Sequence, residues 1–285
     1  MQFVEEYRKK ALDAVFGMKG FSTCWPVWRA EIASRTQDFK SENAIFELGS
    51  GLREIFALTK VTGRGQGTLS GAGAGWEGLI CWYLNTVLTG TPALVVKQRR
   101  SLMPIPLLDA MSVNYGSKQT NTESDLSGIV FPVDDYLKQH PYTKKVLDSY
   151  VEVNLHRMQL HNLQCKTNWN DNAQIPMLWD MVYRAKGFKD ANVSIGRNGR
   201  SISDLKNFTY SFVTLPSQSK DIKSSAMAVK RVSALTGGIF WGKPDVSGVA
   251  WSVSDIFKRV FGDDVIGDVR AHIRGQIQSE NISLR

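Results

Sequence analysis

The chain is poor in cysteine, and the three it has, Cys24, Cys81 and Cys165, are scattered. There is no CxxC pair and no Cys/His spacing of the kind zinc sites use. An odd, dispersed set argues against a disulfide framework and reads as reduced, buried thiols. The four histidines, His140, His156, His161 and His272, are equally dispersed, so the sequence assembles neither a histidine metal site nor a Ser-His-Asp arrangement. No apolar run approaches the roughly 20 residues that a helix needs to cross a bilayer. The N-terminus, MQFVEEYRKKALDAVF, has mixed charge where a secretory signal has a basic start and an apolar core, so a cytoplasmic location is expected. Internal repeats, low-complexity tracts and obvious linkers are also lacking. GAGAGW at 71–76 fails as a nucleotide fingerprint, because no apolar strand precedes it and no Gly-Lys-Ser/Thr follows.

What is present is an ordinary globular balance. Hydrophobic residues make up 42% and charged residues 22% of 285, enough apolar material for a sizeable core. Domains of about 100–200 residues are usual, so one large domain or two intimate ones would fit. We expect a helical region over 1–62 packed on a core over 63–285. The formal net charge of +8 favours a polyanionic partner such as DNA or RNA. The basic residues are dispersed, so folding must assemble any such surface.

Residues 1–60 read as mostly helical. Within SENAIFELGSGLREIFALTK, apolar positions Ile45, Phe46, Leu52, Ile55 and Phe56 recur at helical spacing behind Ser41, an N-cap, while Gly49 and Gly51 threaten to divide the helix. GRGQGTLSGAGAG, 63–75, reads as a glycine-rich loop leading into a helix at about 76–88. The strand candidates are PALVVKQ, DLSGIVFPV, LHNLQCKT, NFTYSFVTLP and TGGIFWG. Helices alternate with them: IPLLDAMSV, PYTKKVLDSYVEVNLHRM with Pro141 near its start, NDNAQIPMLWDMVYRA capped by Asn170 or Asp171, and SSAMAVKRVSAL. NYGSKQTNTES reads as a polar loop. This alternation predicts an α/β (α+β) fold, a central mixed β-sheet flanked by helices, with a helical N-terminal region.

The strand LHNLQCKT places Asn162, Gln164 and Lys166 on one face and His161, Leu163 and Cys165 on the other. Asp125 opens the strand DLSGIVFPV, 39 residues earlier (164 minus 125), with Ser127 on its face and Gly128 allowing close approach. The intervening helix can return the chain so that the two strands pair. Hydrolysis of a phosphodiester needs a divalent cation to polarise phosphate and generate hydroxide. Asp125 supplies a hard carboxylate ligand, Gln164 an amide oxygen, and Lys166 a cation to orient water and stabilise developing charge. Glu77, placed in the first turn of the helix after the glycine loop, adds a second carboxylate. Glu123, Glu47 and Glu54 are rival acids; Glu123 lies in an irregular loop, and the other two lie further from the strands.

A helix Glu, a strand Asp and a following strand with Gln-x-Lys resemble the PD-(D/E)xK nuclease superfamily. The stretch GWEGLICWYLN … SDLSGIVF … LQCKTNWNDNAQIPMLWDMVY, within 70–185, is particularly similar to type II restriction endonucleases. Two positions depart from the motif: Ser124 stands where proline precedes the Asp, and Gln164 replaces the usual acid. The resemblance implies a restriction-endonuclease-like core and a Mg²⁺-dependent (Mn²⁺-tolerant), sequence-specific double-stranded DNA endonuclease leaving 5′-phosphates. It implies catalysis by Asp125, Gln164, Lys166 and Glu77, with Asp125, Glu77 and Gln164 holding the metal. A homodimer cutting both strands and a DNA methyltransferase as genetic partner follow from it. Candidate DNA contacts are Lys97, Arg99 and Arg100 after a strand, Asn170, Asn172 and Gln174 after Lys166, and Arg197 and Arg200 flanking a turn in IGRNGRS. The glycine loop is a further candidate for close approach to phosphate at a helix N-terminus. Alternatives are a structure-specific repair or recombination nuclease and a non-catalytic basic DNA-binding protein.

Overall fold

The structure is a computed structural model describing residues 2–59, 66–115, 117–120, 124–167, 193–214, 225, 230, 233–234, 240–241, 256–261, 263–282 and 284. Residues 2–57 are mostly helical, as expected: α1 (Gln2–Phe16), α2 (Lys19–Ser22), α3 (Trp25–Thr36) and α4 (Glu42–Ala57), with α5 (Gln66–Val87) next among the described residues. Ser41 caps α4 by accepting from the Ala44 N–H at 3.2 Å. Gly49 does not divide α4. A Cβ there would stand 2.5 Å from the Tyr83 hydroxyl of α5, whose O–H donates to the Phe46 carbonyl, so glycine lets the two helices close on each other.

The glycine-rich stretch is a correction. It is helix from residue 66 onward, and residues 63–65 lie outside the described residues. Glycine costs about 1 kcal/mol relative to alanine inside a helix, but here it permits packing: a Cβ on Gly75 would meet the Gly20 carbonyl and the Trp28 ring at 3.3 Å. Glu77 therefore sits eleven residues into α5 (77 minus 66), not in a first turn, so the N-terminus of its own helix does not lie beside it.

The main sheet has five strands in the order β1 (Ala93–Lys97), β4 (Leu126–Val130), β5 (Gln159–Lys166), β7 (Asn207–Thr214), β8 (Phe240–Trp241). The first three form an antiparallel meander; β7 runs parallel to β5 and β8 parallel to β7, so the sheet is mixed. α6 (Ile105–Ala110), α7 (Tyr136–Gln139) and α8 (Lys144–Asn154) lie between strands, and α9 (Asp263–Ile266) and α10 (Val269–Gln278) follow them. NYGSKQTNTES is not simply a loop. β2 (Val113–Tyr115) and β3 (Lys118–Thr120) form a hairpin there, and β6 (Val193–Ile195) pairs with β2. The helix expected over NDNAQIPMLWDMVYRA lies outside the described residues, as does most of SSAMAVKRVSAL.

Strand alternation divides the core. Ala93, Val95, Leu126, Leu163, Cys165 and Val213 face the aromatic-rich cluster built by α2–α5 and α10, where Trp28 and Trp76 are fully buried. Leu94, Val96, Ile129 and Leu160 face a second cluster with α6 and α8. α1 joins both, through Phe3, Val4 and Tyr7 on one side and Val15 on the other. Helices thus flank the sheet on both faces. Cys81 and Cys165 are buried and free, and Cys24 is half-buried; burial pushes the Cys81 thiol up to about 12 and Cys165 well above its ordinary value. Among the described residues no helix is long and apolar enough to cross a membrane.

Candidate active site

Because β4 runs antiparallel to both its neighbours, its first residues meet the last residues of β1 and β5. The register pairs Leu126 with Leu163 and with Lys97, so Asp125, Gln164, Lys166 and the end of β1 gather at one end of the sheet. One oxygen of Asp125, Oδ2, accepts from Gln164 Nε2 at 2.5 Å and from the Cys165 N–H at 2.8 Å. Burial, then the charge of Glu77, push the Asp125 carboxyl up to about 7; Lys166, the Cys165 N–H and Lys97 pull the other way. Glu77 and Lys166 are therefore both within electrostatic reach of Asp125. The four residues singled out from the sequence are brought to one place by α5, β4 and β5.

Lys97 is a correction. Its side chain is not a surface contact for DNA: the residue is 9% exposed and its ammonium is bonded to the Glu77 carboxylate. Alternation explains this. Lys97 follows Ala93 and Val95 onto the face covered by α5, where an unpaired ammonium would be costly and Glu77 is at hand. Arg99 and Arg100, past the strand end, are exposed.

Arg197 and Arg200 are the second correction. Both bond the carboxylate of Asp109, itself 1% exposed, at 2.5 and 3.1 Å, and Arg200 also bonds Glu152. Asn198 Nδ2 donates to Asp109 at 2.9 Å. The turn between the arginines was legible, since Asn198 and Gly199 take the positive φ values, 53° and 73°, that a type I′ turn requires. The arginines instead neutralise a buried acid from α6, a partner 88 residues away (197 minus 109), and are not held free for phosphate.

Among the rival acids, Glu47 and Glu54 are largely exposed and paired with Arg270 and Arg35. Glu123, Asn170, Asn172 and Gln174 lie outside the described residues. Sequence reasoning placed Asn162 beside Gln164 and Ser127 beside Asp125 but missed that Gln98 joins them into a polar row. Gln98 Nε2 donates to Ser127 Oγ at 2.8 Å and Asn162 Oδ1 at 3.0 Å, on the face that also carries Gln164. Period-two alternation in PALVVKQ, DLSG and LHNLQ was the available signal: Ser127 and Asn162 pair in register, and Gln98 falls on the same face one step beyond Val96, the β1 partner of Ser127.

Among the described residues no three His, Cys, Asp or Glu side chains converge, so the acids available to a cation here are Glu77 and Asp125. That pair fits Mg²⁺, which keeps several waters and takes one or two carboxylates plus substrate phosphate. Glu77 raises Asp125, so the two acids repel, and a divalent cation relieves that repulsion. The chain matches no protein-family model and no curated protein.

Proposed function

We propose that the chain is a Mg²⁺-dependent, sequence-specific endonuclease of double-stranded DNA, of the type II restriction kind, built on a PD-(D/E)xK core. One observation carries this reading: Asp125 and a Gln-x-Lys strand lie side by side, hydrogen-bonded, with a helix glutamate inside the same electrostatic cluster. Asp125, Glu77 and the Gln164 amide oxygen would hold the cation. A bound Mg²⁺, for which Mn²⁺ substitutes, supplies polarisation of the phosphate and a water of lowered pKa. Lys166 orients the attacking water and stabilises the negative charge that develops on phosphate. Gln164 Nε2 and the Cys165 N–H fix one Asp125 oxygen, which would leave the other for the cation. Arg99 and Arg100, exposed just past the end of β1, would serve as phosphate contacts.

Cutting both strands of a near-palindromic target calls for two such centres, hence a homodimer. The assignment also places the protein in the cytoplasm beside a methyltransferase that protects the same sequence. The purified chain should fragment a sequenced plasmid with Mg²⁺ at a fixed site, leaving 5′-phosphates. Undiminished cleavage by Lys166→Ala or Asp125→Ala would falsify the assignment, and ends mapping to junctions would favour a repair nuclease. The limit of two acids favours one second reading, a DNA-binding protein without chemistry; metal-independent binding with no cleavage would select it.

A further inference from the structure

Lys97 ends β1 with its ammonium inside the protein, bonded to Glu77 and 3.3 Å from the Met18 sulfur. A buried ammonium is costly unless paired, and removing one member of such a pair costs more than forming it gains. The partner Lys97 has taken is one of the two acids of the centre. Its charge acts on Asp125, Cys81 and Cys165 as well, so Lys97 belongs to the field of the site and not to its rim.

We propose that Lys97 is the resident cation of the metal-free centre: its ammonium holds the Glu77 carboxylate that a divalent ion must take over, so the ion pair and the metal compete for one acid. The inference deepens the nuclease reading and rests on it for the metal ligands. Charge balance says what the competition achieves. Even with Asp125 ionised, two carboxylates only offset two ammoniums, Lys97 and Lys166, so a divalent ion entering alone makes the centre net positive. A DNA phosphate removes part of that excess. Metal therefore binds weakly to the free protein and tightly once DNA is in place, which keeps hydrolytic capacity coupled to substrate.

Mn²⁺ titration of the free, full-length protein, read by electron paramagnetic resonance, tests this without reference to cleavage. Lys97→Met keeps the stem beside Met18 and removes the charge. It should bind Mn²⁺ about tenfold more tightly than wild type, a usual coupling for neighbouring charges in one network, and the gain should vanish in the K97M/E77Q double variant. Lys97→Arg keeps a cation and should stay at the wild-type affinity. Equal or weaker binding by K97M, a gain that survives E77Q, a gain equally large in K97R, or no binding by any of the four proteins overturns the proposal. If K97M does not fold, nuclear magnetic resonance of the Lys97 ammonium in the wild-type chain reads the same contest. Its signal should shift on saturation with Mg²⁺, and an unmoved signal overturns the proposal. The two readings fail separately. Plasmid left intact alongside a tenfold gain in K97M removes the nuclease function and keeps the competition; plasmid cut with equal affinities does the reverse.

Discussion

Acid should loosen the β5–β7 seam through a single imidazole. His161 is fully buried on β5, with Nδ1 2.7 Å from Thr209 Oγ1 on β7 and its ring edge-on to Phe261. Its Nε2 has no hydrogen-bond partner among the described residues. An N–H formed there by a second proton would find no acceptor among the described residues, and burial pushes the imidazole down to about 3. In the unfolded chain it titrates near 6.5. Because the folded value is the lower one, the unfolded state takes up the proton first. The stability this side chain contributes is complete above pH 6.5 and is lost as pH falls toward 3. The slope is about 1.4 kcal/mol per pH unit. Over the whole interval that amounts to roughly 5 kcal/mol, a large share of the ~5–15 kcal/mol that keeps a protein folded. His161→Asn places an amide where Nδ1 faces Thr209 and cannot titrate. It leaves a ring-sized gap, so at pH 7.5 it should be about 1–3 kcal/mol less stable than wild type. Urea unfolding of both proteins between pH 7.5 and 4.5 gives the decisive quantity, the difference between their stabilities, in which other titrating groups cancel. That difference should shrink by about 1.4 kcal/mol per unit below pH 6.5, so that the curves meet near pH 5. Parallel curves across the range would show that His161 is not the proton acceptor and would refute the argument.

Gly49→Ala sets packing against propensity: alanine gains about 1 kcal/mol of helix preference, but its Cβ would stand 2.5 Å from the Tyr83 hydroxyl, so a net loss of about 1–3 kcal/mol is expected in thermal or urea unfolding, and a more stable variant would contradict it. Asp109→Ala removes the acid that Arg197, Asn198 and Arg200 share. Since both arginines are partly exposed and can turn to water, we expect a loss of about 2–4 kcal/mol, below the cost of stranding a fully buried charge, read by the same unfolding assays. Arg99→Ala and Arg100→Ala should each leave stability within about 0.5 kcal/mol and reduce the slope of log DNA affinity against log salt by about one. Arg197→Ala should show the opposite profile, weaker folding with an unchanged salt slope; a reduced slope for Arg197→Ala would restore it as a DNA contact.

The sheet was legible where alternation is local. PALVVKQ stands out as a short apolar run and LHNLQCKT by its period of two, and the helix between Asp125 and Gln164 allowed the two strands to be expected as neighbours, though their antiparallel direction came only with the structure. Ser41 was legible for the same reason, since a cap acts within one turn. What was hidden depends on partners distant in sequence. Glycines 73 and 75 look like a loop until Gly20 and Trp28 are seen to need the space above Gly75. Lys97 looks like the first of three basic surface residues until Glu77, on a helix packed over its strand, takes its charge. Arg197 and Arg200 look available until Asp109 is found beneath them. In each case composition gave the residue type correctly, while the fold decided whether its charge or its small size was already in use.

The same logic explains why this centre sits at a strand end and not on a sheet face. Alternation alone separates its members: Lys97, with Glu77 above it, belongs to the face covered by α5, whereas Gln164 shares the opposite face with Asn162 and Gln98. A side chain in mid-strand could address only one of those groups. Asp125 stands just before β4 begins, and its carboxylate reaches the backbone of Cys165 and the amide of Gln164 while remaining in the field of Glu77, Lys97 and Lys166. Antiparallel pairing on both sides of β4 is what makes this possible, because it brings one strand start between two strand ends. Had β4 run parallel to its neighbours, Asp125 would lie at the far end of the sheet from Lys97 and Lys166, and the same four residues would form no centre at all.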